Sequence, residues 1–589
     1  MALTAEQIKE QRKEAEELLF SGPQKLGFAK ALFFGHFNAP LLFPYPEIDP
    51  QERDRLNKIL ADVRRFADEK MDPAAIDRNA EIPPEVVTGL GDVGVLGMTV
   101  PREYGGQGIS QLGNARVMEI IGARDAGTSV FVNAHHSIGI RALLLFGSDA
   151  QKRRWLPGLA NGRQLAAFAL TEPQAGSDAG NVQTTATPAV DGKTYILNGE
   201  KRYITNGAIA QVLTVMARTP VPGSSDSKVT AFLVMPDMPG FEVAEARMPK
   251  CGIRGTATAR LAFHNMLVPA ENVLGQVGKG LRIALTVLDF GRTTFGASCT
   301  GVARVCLRAS IQHANTRVQF KQKLGEFELV KKKIAFMAAQ VFAMDATVSQ
   351  CAAFIDRGAE DYMLETAMLK VWSTDALWQV VNDTMQIYGG QAYFANEPYE
   401  RMMRDARINQ IGEGANDVLR AFIAMVGMKP VADVLLGVKN ALSHPFRDFT
   451  KLWGFGRKQV EARVWTPQVP VNAPGLRAEA HELGKRVNEF GRAVQSMLTR
   501  HREGILERQY VQERIADAAC DLYAASCTLS RLDSLLSHGN GDGADVKRDI
   551  AAGKYFLRLA SRRIRQNLAA LHDNDDEQTT ATANAFLKG

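Results

Sequence analysis

Lys193-Thr-Tyr-Ile-Leu-Asn-Gly-Glu-Lys-Arg-Tyr-Ile-Thr205 places β-branched and aromatic residues on both sides of an Asn198-Gly199 pair. Strand-like runs about Asn-Gly are a strong short-range signal for two strands joined by a tight turn, so a hairpin is expected here. More strand-like runs follow at 212–217, 229–235, 241–244 and 259–268. On either side the apolar period changes. Leu56, Ile59, Leu60, Val63 and Phe66 recur at helical spacing within 50–164, and helical periodicity returns over 280–428, with long runs at 330–356 and 363–385. The order helices, strands, helices predicts an α+β, mainly α protein with a compact antiparallel β-barrel or sandwich between two helical units.

The same reading divides the chain into an N-terminal extension (1–48), a helical domain (49–165), a β domain (166–275), a helical bundle (276–430), an amphipathic segment and linker (431–475), a C-terminal helical domain (476–573) and a tail (574–589). Residues 5–19 read as a charged helix. Two helical stretches are expected at 476–537 and 544–572, and the Asp-rich, Thr/Ala-rich tail is expected to fray.

A chain of 589 residues exceeds what one core usually serves. Hydrophobic content of 46% and charged content of 23% exclude a disordered or fibrous class. The formal charge of +6, from 70 basic and 64 acidic residues, is too mild to point to nucleic acid. Six cysteines form neither a C-x-x-C pair nor a Cys/His cluster with zinc spacing, so no disulfide framework and no metal are expected, and a reducing compartment fits. The first residues lack the basic and apolar regions of a secretory signal, and with no run of about 18 apolar residues no bilayer span is expected.

Gly89-Leu-Gly-Asp-Val-Gly94 matches G-x-G-x-x-G, but it follows a helical stretch, not a strand, and reads as helix-end and turn glycines. Leu170-Thr-Glu-Pro-Gln-Ala-Gly-Ser-Asp178 offers hydroxyls and backbone N–H groups beside a strand, either to a polar ligand or to solvent. Glu413, between Gly412 and Gly414, is either a solvated loop carboxylate or a catalytic base.

These segments occur in one order with Arg202-Tyr-Ile-Thr-Asn206, Lys250-Cys-Gly-Ile-Arg-Gly-Thr256, Arg317-Val-Gln-Phe320, Gln386-Ile-Tyr-Gly-Gly390 and Arg401-Met-Met-Arg-Asp405. That order resembles the acyl-CoA dehydrogenase family. Phe28-Ala-Lys-Ala-Leu-Phe33, Phe43-Pro-Tyr-Pro46, Asn440-Ala-Leu-Ser-His-Pro-Phe446 and 512–523 extend the resemblance to its very-long-chain branch, which carries a C-terminal helical extension. The resemblance implies FAD as cofactor and Glu413 as the base. It implies that Phe168, Leu170, Thr171, Gly176, Ser177, Tyr203, Ile204 and Thr205 line the isoalloxazine, with Thr171 near O2 and Thr205 near N5. Arg317 and Phe320, with Gln386, Gly389 and Gly390 of a second subunit, would hold the pyrophosphate and adenosine, and Asn416 would also face the cofactor. Ser177, Asp289, Arg292 and Gly414 would lie at the acyl-CoA; a helix N-terminal Asp and a surface Arg are the bland reading of Asp289 and Arg292.

The chain departs from the family at Tyr203 (commonly Trp), Gly412 (a bulky aromatic), Ala415 (Thr), Lys321 (Gly) and Glu328 (Gln). The helix matching 129–140 floors the acyl pocket in this family, and Phe131 and Asn133 interrupt its small residues here. The resemblance implies α,β-dehydrogenation of a long-chain acyl-CoA to the trans-2-enoyl-CoA in fatty acid β-oxidation, a homodimer, and electron-transfer flavoprotein as acceptor. An acyl-CoA oxidase using oxygen and a non-enzymatic assembly relative are the alternatives. Basic and aromatic residues interleaved over 439–463 fit either a peripheral membrane contact or a helix packed on its own protein. The location expected is cytoplasmic or mitochondrial-matrix-like, peripheral at the inner membrane if 439–463 binds lipid, and not secreted.

Overall fold

The computed structural model describes residues 26–221, 226–442, 466–537 and 543–587. The helix expected at 5–19 lies outside these residues, as do the side chains of 439–463. The first helices are α1 (Phe28–Phe33), α2 (Pro50–Lys70), α3 (Pro73–Asn79), α4 (Pro84–Asp92), α5 (Gln111–Arg124), α6 (Ala126–Val132), α7 (Arg141–Phe146) and α8 (Asp149–Ala160). Local chemistry starts several of them. Asp49 caps α2 ahead of Pro50, Asp72 caps α3, and Ser148 forms a reciprocal capping box with Gln151 at α8. Between α6 and α7 the chain makes a π-helical stretch, Asn133–Ile140. The glycine fingerprint builds no phosphate loop: Gly89 lies against Phe66, Gly91 against the Asn161 carbonyl, and Gly94 ends the segment at φ +79°.

The strand unit comprises β1 (Ala166–Ala169), β2 (Thr185–Pro188), β3 (Thr194–Thr205), β4 (Val212–Pro220), β5 (Ser227–Val234), β6 (Phe241–Glu245), β7 (Thr258–Pro269) and β8 (Val273–Leu274). Hydrogen bonding runs β6-β7-β3-β2-β4-β5-β8, with β1 beside β4. Asn198-Gly199 is not a hairpin turn. It sits at a register shift within the single strand β3, where Gly199 takes φ +148° and a Cβ would lie 2.6 Å from the Thr184 hydroxyl. The Asn198 side-chain oxygen, Oδ1, instead accepts from the Asn265 backbone N–H across the ladder at 2.8 Å. The pair satisfies a bulge with the chemistry that elsewhere makes a turn. The unit is also not wholly antiparallel, since β1 and β2 both pair with β4 in parallel.

The bundle follows with α9 (Gly280–Thr316), the short β9 (Val318–Gln319) and β10 (Gln322–Lys323), α10 (Glu328–Asp356), α11 (Met363–Tyr388), α12 (Tyr399–Arg407) and α13 (Asn416–Leu442). The last unit is α14 (Arg477–His501), α15 (Gln509–Ser537), α16 (Ala544–Ala569) and α17 (Asp576–Leu587). The stretch expected as one helix over 476–537 breaks at Arg502, at φ +50°, and the tail forms a helix whose Asp576 pairs with Arg514 at 2.5 Å. Asp345 of α10 joins three units through Arg116 of α5 at 2.5 Å, Arg304 of α9 at 3.1 Å and Arg531 of α15 at 3.2 Å. Burial alone would raise its pKa, yet the three guanidinium groups hold it well below the carboxylate range.

Two helical stretches, Ala126–Phe146 and Glu328–Asp356, are long and apolar enough by length and composition to cross a bilayer, although neither is an uninterrupted apolar run. Their apolar windows are 72% and 78% buried inside the protein, as in core helices.

Candidate active site

Glu413 stands in the turn between α12 and α13 at φ +56°, followed by Gly414 at φ +97°. A left-handed conformation costs a residue with a Cβ roughly 1–2 kcal/mol, so the turn holds Glu413 against its own preference. Gly412 takes no such conformation, and a Cβ there would meet the Ile408 carbonyl at an ordinary 3.6 Å. The turn's requirement for glycine therefore falls on 414 alone. Space at 412 is what the missing aromatic leaves.

The two carboxylate oxygens differ. Oε1 accepts from Asn133 Nδ2 at 2.7 Å, whereas Oε2 is enclosed with no hydrogen-bond partner among the described residues and lies 3.1 Å from where a Cβ of Gly291 would stand. Glycine at 291 is what lets the carboxylate approach α9. Burial raises the Glu413 pKa to about 7 against the opposing charges of Lys370 and Arg292 and the Asn133 hydrogen bond.

The turn is braced from α11. Lys370, fully buried, donates to the Gly414 carbonyl at 2.6 Å and to Asn416 Oδ1 at 2.8 Å, and burial lowers its pKa to about 8. Asn416 Nδ2 donates to Thr374 and Asp375, each at 2.9 Å. Its side chain is thus hydrogen-bonded inside the bundle, which leaves the backbone of Asn416 to make the cofactor contact expected from the sequence. Arg420 extends the brace to the C-terminal unit, donating to Asp375 at 2.6 Å and to Asp517 of α15 at 2.8 Å.

Asp289 and Arg292 are buried in the interior of α9 and bonded to each other at 3.1 Å, so neither a helix N-terminal Asp nor a surface Arg describes them. Thr366 also donates to Asp289 at 2.8 Å, and burial raises the Asp289 pKa to about 6. The structure thereby gathers Glu413, Gly414, Asp289 and Arg292 into one region.

The remaining expected residues lie on two exposed faces. Gly176 and Ser177 are exposed in the loop after β1, Phe168, Leu170, Thr171 and Thr205 are half-buried, and Tyr203 is 57% exposed at φ +60° with Arg202 over its ring. Ile204 is buried in the core, leaving only its backbone to reach a ligand. A buried ion pair at 2.6 Å between Glu172 and Lys201 pins this loop to β3. Arg317, Phe320, Gln386, Gly389 and Gly390 are exposed at the far end of the bundle. Lys321 takes φ +65°, which explains why glycine suits that position. A Cβ on Gly176, Gly389 or Gly390 would meet no atom within 4 Å. An exposed aromatic face on the strand unit, with open glycines and Arg317 elsewhere, has the donor set and the room that FAD needs.

Asn133, Lys370, Glu172 and Lys201 escaped assignment to the site from sequence. Asn133 and Lys370 carried a weak signal, a polar residue within an apolar or small-residue run, whereas Glu172 and Lys201 stand among polar neighbours and carried none; no partner shows for any of them until the fold gives it.

Fold and site define a class: a strand unit between two helical ones, a carboxylate of near-neutral pKa enclosed in the bundle, and an open ledge for a flat cofactor. Residues 53–163, 167–266 and 278–428 match the N-terminal, middle and C-terminal domains of acyl-CoA dehydrogenase, and 474–586 match the ACAD9/ACADV C-terminal domain. The chain is 36% identical to the mitochondrial very long-chain specific acyl-CoA dehydrogenase of Homo sapiens over 94% of this chain and 85% of that protein. It is 33% identical to a probable acyl-CoA dehydrogenase of Mycobacterium tuberculosis over 98% and 90%. An acyl-CoA dehydrogenase from Bacillus anthracis complexed with FAD superposes at a TM-score of 0.77 with 27% identity, covering 94% of each chain. The chain belongs to the acyl-CoA dehydrogenase family, and is an FAD-dependent oxidoreductase acting on acyl-CoA.

Proposed function

We propose that the chain oxidises long-chain acyl-CoA to trans-2-enoyl-CoA, with Glu413 removing the α-proton. The observation that carries this reading is the carboxylate itself: Oε1 is anchored, Oε2 is free to take a proton, and the pKa near 7 lets the group act at neutral pH. Bound FAD supplies the acceptor for the β-hydride at N5. An α-C–H is a weak acid, so the thioester oxygen must be stabilised as charge develops on it. The Glu413 backbone N–H is the protein donor the family resemblance assigns, an oxyanion contact of a kind worth about 3–4 kcal/mol. Asp289, bonded to Arg292 on its own helix and to Thr366 of α11, ties α9 to α11 beside the base, and Ser177 reaches the substrate from the β-unit loop.

Electron-transfer flavoprotein is the proposed acceptor, and a reducing compartment the proposed location. A homodimer is supported by the exposed apolar side chains of Val318 (52%), Phe320 (89%), Tyr393 (78%) and Phe394 (64%), near Arg317 and Gln386, a face that a second copy would cover while completing the cofactor site. Membrane contact through 439–463 rests on the sequence pattern. The test is a series of acyl-CoA lengths assayed with electron-transfer flavoprotein under argon and in air. An optimum at long chains that needs the flavoprotein supports the reading; an optimum at butyryl-CoA, or full turnover on oxygen alone, overturns it.

A further inference from the structure

Asn133 belongs to the π-helical stretch, is 1% exposed, and reaches across to the turn that carries Glu413. Its amide orientation is set from the other side: the Thr294 hydroxyl of α9 donates to Asn133 Oδ1, which turns the NH₂ toward the carboxylate. The Thr294 hydroxyl has a single proton to give, and of the acceptors around it, with Ser137 Oγ at 3.1 Å and the Phe290 and Gly291 carbonyls at 3.1 and 3.0 Å, Asn133 Oδ1 is the nearest. An amide fixed at both ends cannot turn freely. We propose that Asn133 is a positioning residue for the base: its amide anchors Oε1 of Glu413, so that Oε2 is the oxygen presented to the substrate and the carboxylate form is favoured.

The inference rests on the reading of Glu413 as the base. The other charged or titratable groups facing that carboxylate are Lys370 of α11 and Arg292 and Cys299 of α9. None of the three donates a hydrogen bond to its oxygens, so among the described residues Asn133 alone binds the carboxylate directly. A neutral donor on a carboxylate stabilises the charged form. Removing it raises the pKa of the base and frees the carboxylate to rotate.

The test uses the full-length FAD-loaded protein. The Glu413 carboxyl is titrated by infrared difference spectroscopy, its band identified by its loss in Glu413→Gln, and the acid limb of flavin reduction by palmitoyl-CoA is measured in parallel. Asn133→Ala is expected to move both midpoints up by about one pH unit, the scale of a charge-assisted hydrogen bond. Thr294→Val, which keeps the volume, is expected to move them the same way by less, and carries the test if Asn133→Ala fails to retain FAD. Unmoved midpoints in a folded, FAD-loaded variant overturn the proposal. Normal flavin reduction by Glu413→Gln overturns the assignment of the base instead, while the infrared midpoint still reports whether Asn133 binds that carboxylate.

Discussion

The Lys370 ammonium lies 2.6 Å from the carbonyl oxygen of Gly414, the residue after the base. A buried cation spent on a carbonyl and an amide oxygen, with no carboxylate hydrogen-bonded to it, is costly unless it serves its surroundings. Here it fixes the left-handed turn and lowers the pKa of Glu413 through space. Lys370→Met should therefore keep the helix but reduce flavin reduction at neutral pH at least about tenfold, with part of the loss recovered at higher pH as the now weaker acid ionises. A stopped-flow pH series on the folded variant checks this; an unchanged profile contradicts it.

Stability should depend on the same carboxyl. Burial raises the folded pKa of Glu413 to about 7 from the ordinary 4.5, so between these values the folded protein keeps a proton that the unfolded chain has released. Stability then falls as pH rises through that window, by about 3 kcal/mol from this group alone. Glu413→Gln should melt above the wild type at about pH 8.5, with the gap closing near pH 4.5. Thermal melts of the two proteins across pH measure it.

Glycine is expected to matter at one side of the base only. Gly414→Ala meets both φ +97° and Leu419 at 3.2 Å, whereas Gly412→Ala finds ordinary contacts. Flavin reduction should fall more than about tenfold in the first and stay within about twofold in the second, since 1–2 kcal/mol of backbone strain falls on the base itself. Single-turnover rates distinguish the pair.

Arg420 of α13, the helix that follows the base, bonds Asp375 of α11 and ties both to the C-terminal unit through Asp517. Asp517→Ala leaves Arg420 half-paired and should cost about 1–3 kcal/mol of stability. Its effect on the rate of flavin reduction should exceed that of an exposed C-terminal control such as Arg548→Ala. Equal rates in the two variants contradict the coupling.

The helix–strand–helix order was legible because its two periods differ and each run is long. The Asn-Gly signal was misread because a bulge stabilised by Asn198 and Asn265 uses the same residue chemistry as a turn; only the partner strand β7 distinguishes them. Glu413 was legible from neighbouring motifs. Its partners were not, because Asn133 and Lys370 lie 280 and 43 positions from it in sequence, and long-range hydrogen bonds leave no local period. Asn416 shows the converse: a motif residue expected at the cofactor whose side chain also braces the turn, a role that no motif announces.

The central claim is that Glu413 takes the α-proton. Anaerobic mixing of FAD-loaded Glu413→Gln with palmitoyl-CoA tests it most directly. The account predicts that the variant binds FAD and acyl-CoA as the wild type does while bleaching of the flavin is nearly abolished. Bleaching at the wild-type rate would contradict it.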